Sequence, residues 1–302
     1  MDPQTPSSSA PDSALATFDA LRPRLFGIAY RMLGLRADAE DVLQDAWLRW
    51  NTTDHAAVQS AEAWLVTVVT RLAIDRLRAA KAEREAYTGL WLPEPLVELD
   101  ERTPEAAAEL ASDLSVAFMH MLERLAPEER AAFLLRQVFD YDYAEIAAML
   151  DKGEAAVRQA VHRAAERVRL ERPRFAVPPE THRRLLEKFV AAARSGQRPA
   201  IRALLDENAE AQGDGGGKVP SVAGGMLGAE RITNLYWAHA LRLGERLQYR
   251  IASINGEPGL LRYVDGQLES AQAVVTDGER IVRIYVVRNP DKLARIAAPL
   301  AH

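Results

Sequence analysis

The sequence predicts two all-α domains followed by an α+β domain, and three observations carry that reading. Apolar residues recur at helical spacing from about Ala14 to Glu85 and again from Glu105 to Arg172, with no alternating stretch in either region. Three prolines in RPRFAVPPE, Arg172 to Glu180, then break the chain. After two more helical stretches the pattern changes to period-two alternation punctuated by NGEPG, DG and DG, the chemistry of tight hairpin turns.

Taken in order, MDPQTPSSSAPDS is a polar Pro/Ser stretch, read as a disordered tail over residues 1–13. Leu15, Phe18, Leu21, Leu25, Ile28, Ala29 and Met32 stripe a first helix; a second runs from Ala37 to Trp50 and a third from about Ala61 to Glu85, giving a domain over 14–87. TGLWLPEPLVELDERTP, rich in proline and acid, reads as a linker over 88–110 in which WLPEPL looks exposed. A second helical domain follows over 111–174, and the third spans 179–296. It opens with helices at Pro179–Ser195 and Arg198–Leu205. Strands are expected at Ala209–Gln212, Leu247–Ile254, Gly259–Val264, Gln267–Thr276 and Glu279–Val287, forming a curved antiparallel sheet.

Composition narrows the function classes. The chain has 302 residues, 48% hydrophobic, enough for two or three cores. It shows neither a charged-then-apolar leader nor a run of about eighteen apolar residues, so a cytoplasmic protein without membrane attachment is expected. There is no cysteine, and the six histidines are scattered without ligand spacing, so no metal and no cofactor are expected. The net charge of −5 is awkward for a protein that grips DNA alone, because Lys and Arg neutralising phosphates dominate such affinity. Either the basic residues are focused locally or a partner supplies the affinity.

The most informative stretch is YAEIAAMLDKGEAAVRQAVHRAAERVR, Tyr143 to Arg169. Ile146, Ala147 and Leu150 form the inner face of a short helix, which Asp151-Lys152-Gly153 ends. Val157, Ala160, Val161, Ala164 and Val168 then form the inner face of a second helix, leaving Arg158, Gln159, His162 and Arg163 outside, where they suit base edges and phosphates. Small residues at Ala147 and Ala160 allow the close crossing of a helix-turn-helix, and Gly153 is expected to relieve the turn. An ordinary helical hairpin with a solvated basic face shows the same pattern. Upstream, AEDVLQDAWLRW gathers Asp38, Glu40, Asp41 and Asp45 beside Val42, Leu43, Ala46, Trp47 and Trp50; the stripe suits a basic partner, or simply an acidic helix start. The third helix turns basic at Arg71, Arg76, Arg78, Lys81 and Arg84, and Trp64 is placed to stack on an unpaired base.

In this order the segments resemble bacterial sigma factors of the extracytoplasmic-function (ECF) group, over roughly Ala14 to Arg174. AEDVLQDAWLRW is similar to that family's helix for the clamp of core RNA polymerase, which implies contacts by Asp41, Gln44, Asp45 and Trp47. AWLVTVVTRLAIDRLR is similar to the minus-ten helix. The resemblance implies that Asn51, Thr52, Thr53, Asp54 and His55 meet a flipped base and that Trp64, Arg71, Asp75 and Arg78 meet the strand, although Thr70 stands where the family commonly has asparagine. LERLAPEERAAFLLRQVFDYDYAEIAAMLDKGEAAVRQAVHRA is similar to the minus-thirty-five domain, with Arg158, Gln159, His162 and Arg163 toward bases and Arg167 and Arg169 toward phosphate.

WLPEPL, GDGGGK (Gly213–Lys218) and NPDKL (Asn289–Leu293) resemble signatures of ECF factors carrying a C-terminal SnoaL-like domain, a cone of curved sheet with helices over one face. The implied partners are core RNA polymerase and promoter DNA; no separate anti-sigma protein is named by these motifs. GDGGGK is not a phosphate loop, because Gln212 stands at the first glycine position and Val219 follows Lys218. Instead Asp214, Gly215, Gly216, Gly217 and Lys218 are expected to dock with Trp91, Pro93, Glu94, Asn289, Pro290 and Asp291 as an interdomain regulatory contact, a plain glycine turn being the simpler option. SnoaL-like folds include enzymes, so the third domain leaves room for a small-molecule ligand near Asp214, Tyr236, Trp237, His239 and Arg262. No acid–base pair has catalytic spacing, so no enzymatic activity is expected. The alternative is a ligand-binding or catalytic SnoaL-like protein fused to a helix-turn-helix regulator.

Overall fold

The computed structural model describes residues 10–98, 114–171, 177–222 and 224–297. The expected tail at 1–9 and the linker at 99–110 lie outside the described residues. Contacts divide the chain into two compact units: described residues up to Lys81 with Arg124–Arg169, and Ala82–Glu123 with Leu170 onward.

The first unit is helical. It contains α1 (Ala10–Leu33), α2 (Arg36–Asn51) and most of α3 (Ala61–Glu85). α4 (Val116–Leu122) belongs to the second unit, and α5 (Pro127–Gln137), α6 (Tyr143–Leu150) and α7 (Glu154–Glu171) complete the first. α1 begins at Ala10, not Ala14; Trp50 Nε1 donates to the Ala14 carbonyl at 3.0 Å and anchors that first turn. The predicted stripes make the core, with Leu25, Ile28, Ile146 and Val157 buried, and Leu43, Leu65, Val69 and Leu134 are buried with them. Buried Arg130 crosses it, donating from Nη1 to the Met32 carbonyl at 2.6 Å.

The second unit is built on a seven-stranded sheet. The strands are β1 (Val97–Glu98), β2 (Leu205–Asp214), β3 (Met226–Leu227), β4 (Leu247–Ile254), β5 (Glu257–Val264), β6 (Gln267–Thr276) and β7 (Ile281–Val287), in the order β1-β4-β5-β6-β7-β2-β3. Its pairings are antiparallel except β2 against β7, which is parallel. The β4–β5 and β5–β6 turns place both central residues at positive φ (Asn255 53°, Gly256 81°; Asp265 53°, Gly266 74°), as two-residue hairpins of this twist require.

Alternation sends consecutive residues to opposite faces, and both faces are covered. On one, Leu260, Val274 and Ile284 pack under α8 (Pro179–Ser195), through Leu186 and Phe189, and under α10 (Ala229–Leu243), through Ile232 and Tyr236; α9 (Arg198–Ala203) adds Ile201. On the other, Leu261, Ala271, Tyr285 and Val287 meet Leu92, Val116 and Ala117, together with Leu293 of α11 (Pro290–Ala297). WLPEPL is therefore largely internal: Leu92 is 0% and Glu94 5% exposed, against the expectation of an exposed linker. Losing a buried anchor such as Phe189 to alanine costs about 3–5 kcal/mol. Helices α10 and α11 were not expected from the sequence.

Candidate functional site

The helix pair α6–α7 has the predicted construction. Glu145 N–H donates to Asp142 Oδ1 and Asp142 N–H to Glu145 Oε2, both at 2.8 Å, a reciprocal cap that fixes where α6 starts. α6 ends at Asp151, whose φ of 53° makes the left-handed turn. Gly153 has no such φ and a Cβ there would meet nothing, so the strain falls on Asp151 and not on the glycine. In α7, Val157, Val161, Ala164 and Val168 are buried, whereas Arg158, Gln159, His162, Arg163 and Arg167 form the exposed face. Arg158 pairs with Glu154 and lies 4.2 Å over the Tyr143 ring; Arg163 and Arg167 share Glu129 at 3.2 and 2.9 Å. These are contacts made by exposed, solvent-screened guanidinium groups, each worth little, so the guanidinium groups are not locked in place.

On α3, Arg71 is already engaged. Its Nε donates 2.8 Å to the Met149 carbonyl at the C-terminal end of α6, where unpaired carbonyls and the helix dipole favour a cation. Arg78 pairs with Glu128 and, at 3.2 Å, with Asp75. Thr70 is fully buried and cannot present an edge to DNA. Trp64 packs on Trp50 (centroids 5.4 Å), and Trp50 on His55 (4.3 Å). In the loop after α2, the Thr52 and Thr53 hydroxyls turn back to the Arg49 carbonyl, and Asp54 Oδ1 accepts from Ala56 N–H at 3.1 Å. Asn51, Thr52 and Asp54 remain exposed.

Along α2, Asp41 and Gln44, with Trp47, line a groove of 330 Å³ shared with Leu15, Phe18 and Arg22. Arg76 holds Asp38 and Asp41 at 2.8 and 2.9 Å; Asp41, Gln44 and Asp45 are all exposed. Val42, Leu43, Ala46 and Trp50, expected as contact surface, are core; Leu48, 57% exposed, and part of Trp47 are the apolar surface this helix leaves open.

The second unit gathers the three sequence motifs on one carboxylate. Asp214 is 0% exposed. Its Oδ1 accepts from Tyr87 Oη (2.6 Å) and Gly216 N (2.9 Å), and its Oδ2 from Leu92 N (3.0 Å) and Lys292 Nζ (2.7 Å). Asn289 Nδ2 donates to Tyr87 Oη at 2.8 Å. Lys292 also donates to the Leu92 carbonyl and lies 4.1 Å over the Trp91 ring. Burial pulls the Lys292 ammonium below its usual range, and Asp214 opposes that pull. The glycines are needed: a Cβ on Gly215 would stand 2.1 Å from the Val219 carbonyl oxygen, and one on Gly216 (φ 64°) 2.6 Å from Asn289. Lys218 meets Asp291 at 2.5 Å at the surface, and Pro290 is exposed, outside this node; Pro93 and Glu94 are buried in the segment after Trp91. Sequence reasoning missed Tyr87 and Lys292, although Lys292 lies within NPDKL.

Comparisons with known proteins match these parts. The Sigma-70 region 2 family matches residues 17–83, and the Sigma-70, region 4 family matches 115–168. The ECF RNA polymerase sigma factor SigJ of Mycobacterium tuberculosis is 37% identical over 290 residues, 92% of each chain. The chain belongs to the ECF sigma factor family. The crystal structure of the M. tuberculosis SigJ extracytoplasmic function sigma factor matches with a TM-score of 0.75 at 34% identity, covering 93% of this chain and 98% of that one. A probable ECF RNA polymerase sigma factor from the same species, SigI, is 26% identical over 96% of this chain and 98% of its own.

In this ECF factor the residues expected around a third-domain pocket divide. Tyr236, His239 and Arg262 come together on the helix-covered face, whereas Asp214 pairs in register with Val287 and joins the node on the opposite face. Among the described residues no group of three or more His, Asp or Glu is arranged to hold a metal ion, and no helix is long and apolar enough to cross a membrane.

Proposed function

We propose that this ECF factor binds core RNA polymerase through α2, reads the minus-ten strand with α3 and the loop at Asn51–Ser60, and reads the minus-thirty-five box with the exposed face of α7. The reaction belongs to the polymerase; the factor supplies position. Kinship over nearly the whole chain carries the reading. The geometry supports it, because the side chains assigned to DNA are the exposed ones of α7. Recruitment by the polymerase also removes the difficulty of a net charge of −5.

The two readers are in contact, since Arg71 of α3 bonds the end of α6. Their boxes lie about 25 base pairs apart, roughly 85 Å of duplex at about 3.4 Å per pair. Engaging both at once therefore requires α3 and α6 to part. The third domain regulates this step: its Asp214 holds Tyr87 and Leu92, in the segment leaving α3. Purified full-length chain mixed with core polymerase and promoter DNA tests the proposal. Promoter-dependent RNA is expected; binding of duplex operators by the chain alone, with no complex on core polymerase, would overturn it.

A further inference from the structure

On the sheet face covered by α8 and α10, apolar packing gives way to a polar row that promoter reading does not use. Tyr249, Arg262 and Ser270 are cross-strand neighbours on β4, β5 and β6, and Arg288 follows the end of β7. Arg262 is 5% exposed. Its Nε donates to Glu269 Oε2 at 2.7 Å and its Nη1 contacts His239 Nδ1 at 3.1 Å. Glu269, the extra residue where the β5–β6 register shifts, also pairs with Arg288 through its other oxygen. Tyr236 Oη donates to Gln272 Oε1 at 2.7 Å, and Gln272 Nε2 to Ser270 Oγ at 3.0 Å.

A count of charge and donors shows what is missing. Two guanidinium ions share one carboxylate, leaving one positive charge in excess. His239 adds none at neutral pH, because burial and then Arg262 hold it down at about 4. With Nδ1 accepting from Arg262, its proton sits on Nε2. Tyr249 Oη lies beside the Arg262 guanidinium, which leaves its own O–H to donate, and Arg288 Nε is buried with no hydrogen-bond partner, although buried donors are nearly always satisfied. The cluster is not sealed: the Arg288 and Glu269 side chains keep 26% and 22% of their exposure. On the same sheet face Trp237 and Ile251 are partly buried where they pack against the apolar core.

We infer that this cluster is a binding site for a small organic monocarboxylate, its carboxylate taken by Arg288 and the Tyr249 hydroxyl and its apolar body lying against Trp237 and Ile251. One negative charge matches the excess, and two acceptor oxygens match the unpartnered donors. Arg288 also donates its main-chain N–H to the Asp214 carbonyl at 2.7 Å and its guanidinium to the Pro220 carbonyl, so the site adjoins the loop that carries Asp214.

Calorimetric titration of the full-length chain with benzoate, with benzamide as the neutral isostere and with inorganic phosphate, tests the inference without any transcription readout. Benzoate should bind saturably at about 1 mM or tighter, with benzamide and phosphate at least about tenfold weaker. Tyr249→Phe should weaken benzoate about tenfold while leaving the melting temperature within a few degrees, since the O–H it deletes donates to nothing in the free protein and Arg262 keeps Glu269 and His239. Arg288→Gln should weaken it further. No saturable benzoate binding, equal binding of benzamide or phosphate, or indifference to Tyr249→Phe would each overturn the inference. Because it is read by binding alone, it fails or stands separately from the promoter-reading proposal.

Discussion

Lys292 Nζ lies 2.7 Å from Asp214 Oδ2, with both side chains almost wholly out of solvent at 5% and 0% exposure. Such a pair is expensive to half-remove, because the survivor stays buried and uncompensated. Asp214→Ala is expected to destabilise the full chain by about 3–5 kcal/mol in urea denaturation. Lys292→Met should cost less, since Asp214 keeps the Tyr87, Leu92 and Gly216 donors. Combining Lys292→Met with Asp214→Ala should cost less than the sum of the two single changes, and strict additivity would show that the two groups do not act as a pair.

Glu128 occupies Arg78, a residue proposed to meet the minus-ten strand. Glu128→Gln keeps the shape and removes the competing charge. The variant holoenzyme should bind forked minus-ten DNA about two- to fivefold more tightly by fluorescence anisotropy, an effect shrinking as salt screens the exposed charges. Unchanged or weaker binding would place Arg78 outside the DNA contact.

Arg158 and Arg167 separate reading from gripping. Arg158→Ala should cost about 1–3 kcal/mol of discrimination at one minus-thirty-five position. Arg167→Ala should weaken all sequences alike and lower the salt slope by about one. Competition binding of the holoenzyme to single-base promoter variants over a salt series distinguishes them; the reverse pattern would exchange the two roles.

Burial raises the Glu257 carboxyl to about 7, with no opposite charge contributing. A carboxyl raised in the folded state contributes stability that is whole below its unfolded value, near 4.5, and is lost as pH climbs through about 7. That loss amounts to about 3 kcal/mol at most. Glu257→Gln should flatten the stability profile between pH 4.5 and 7 and raise the melting temperature at pH 8. A profile with the same slope in both proteins would assign the titration to another group.

Local chemistry was the legible part of this fold. Asp151-Lys152-Gly153 announced the end of α6, and Asn255-Gly256 and Asp265-Gly266 announced their hairpins, because each signal acts within a few residues. α10 was overlooked although Ile232, Tyr236 and Ala240 carry its buried stripe, since it follows a glycine-rich loop and precedes strands. α11 was read only as a motif, yet Asn289 Oδ1 accepts from Asp291 N–H and starts it. The placement of α4 against the sheet, and of β2 parallel to β7, depends on partners distant in sequence that no periodicity names. At the site, exposure of the α7 residues was legible, whereas the capture of Arg71 by Met149 and the burial of Thr70 were not.

Both rims of the seven-stranded sheet are two-residue strands, β1 and β3. A rim this short offers little template to a neighbouring molecule. Because β1 comes from the segment after α3, excising the third domain at about Pro179 would uncover Ser253 and Ile254, the two residues of eight-residue β4 that β1 pairs. The excised fragment would then offer the whole of β4 to copies of itself, so the segment after α3 belongs to the fold of the domain that follows it.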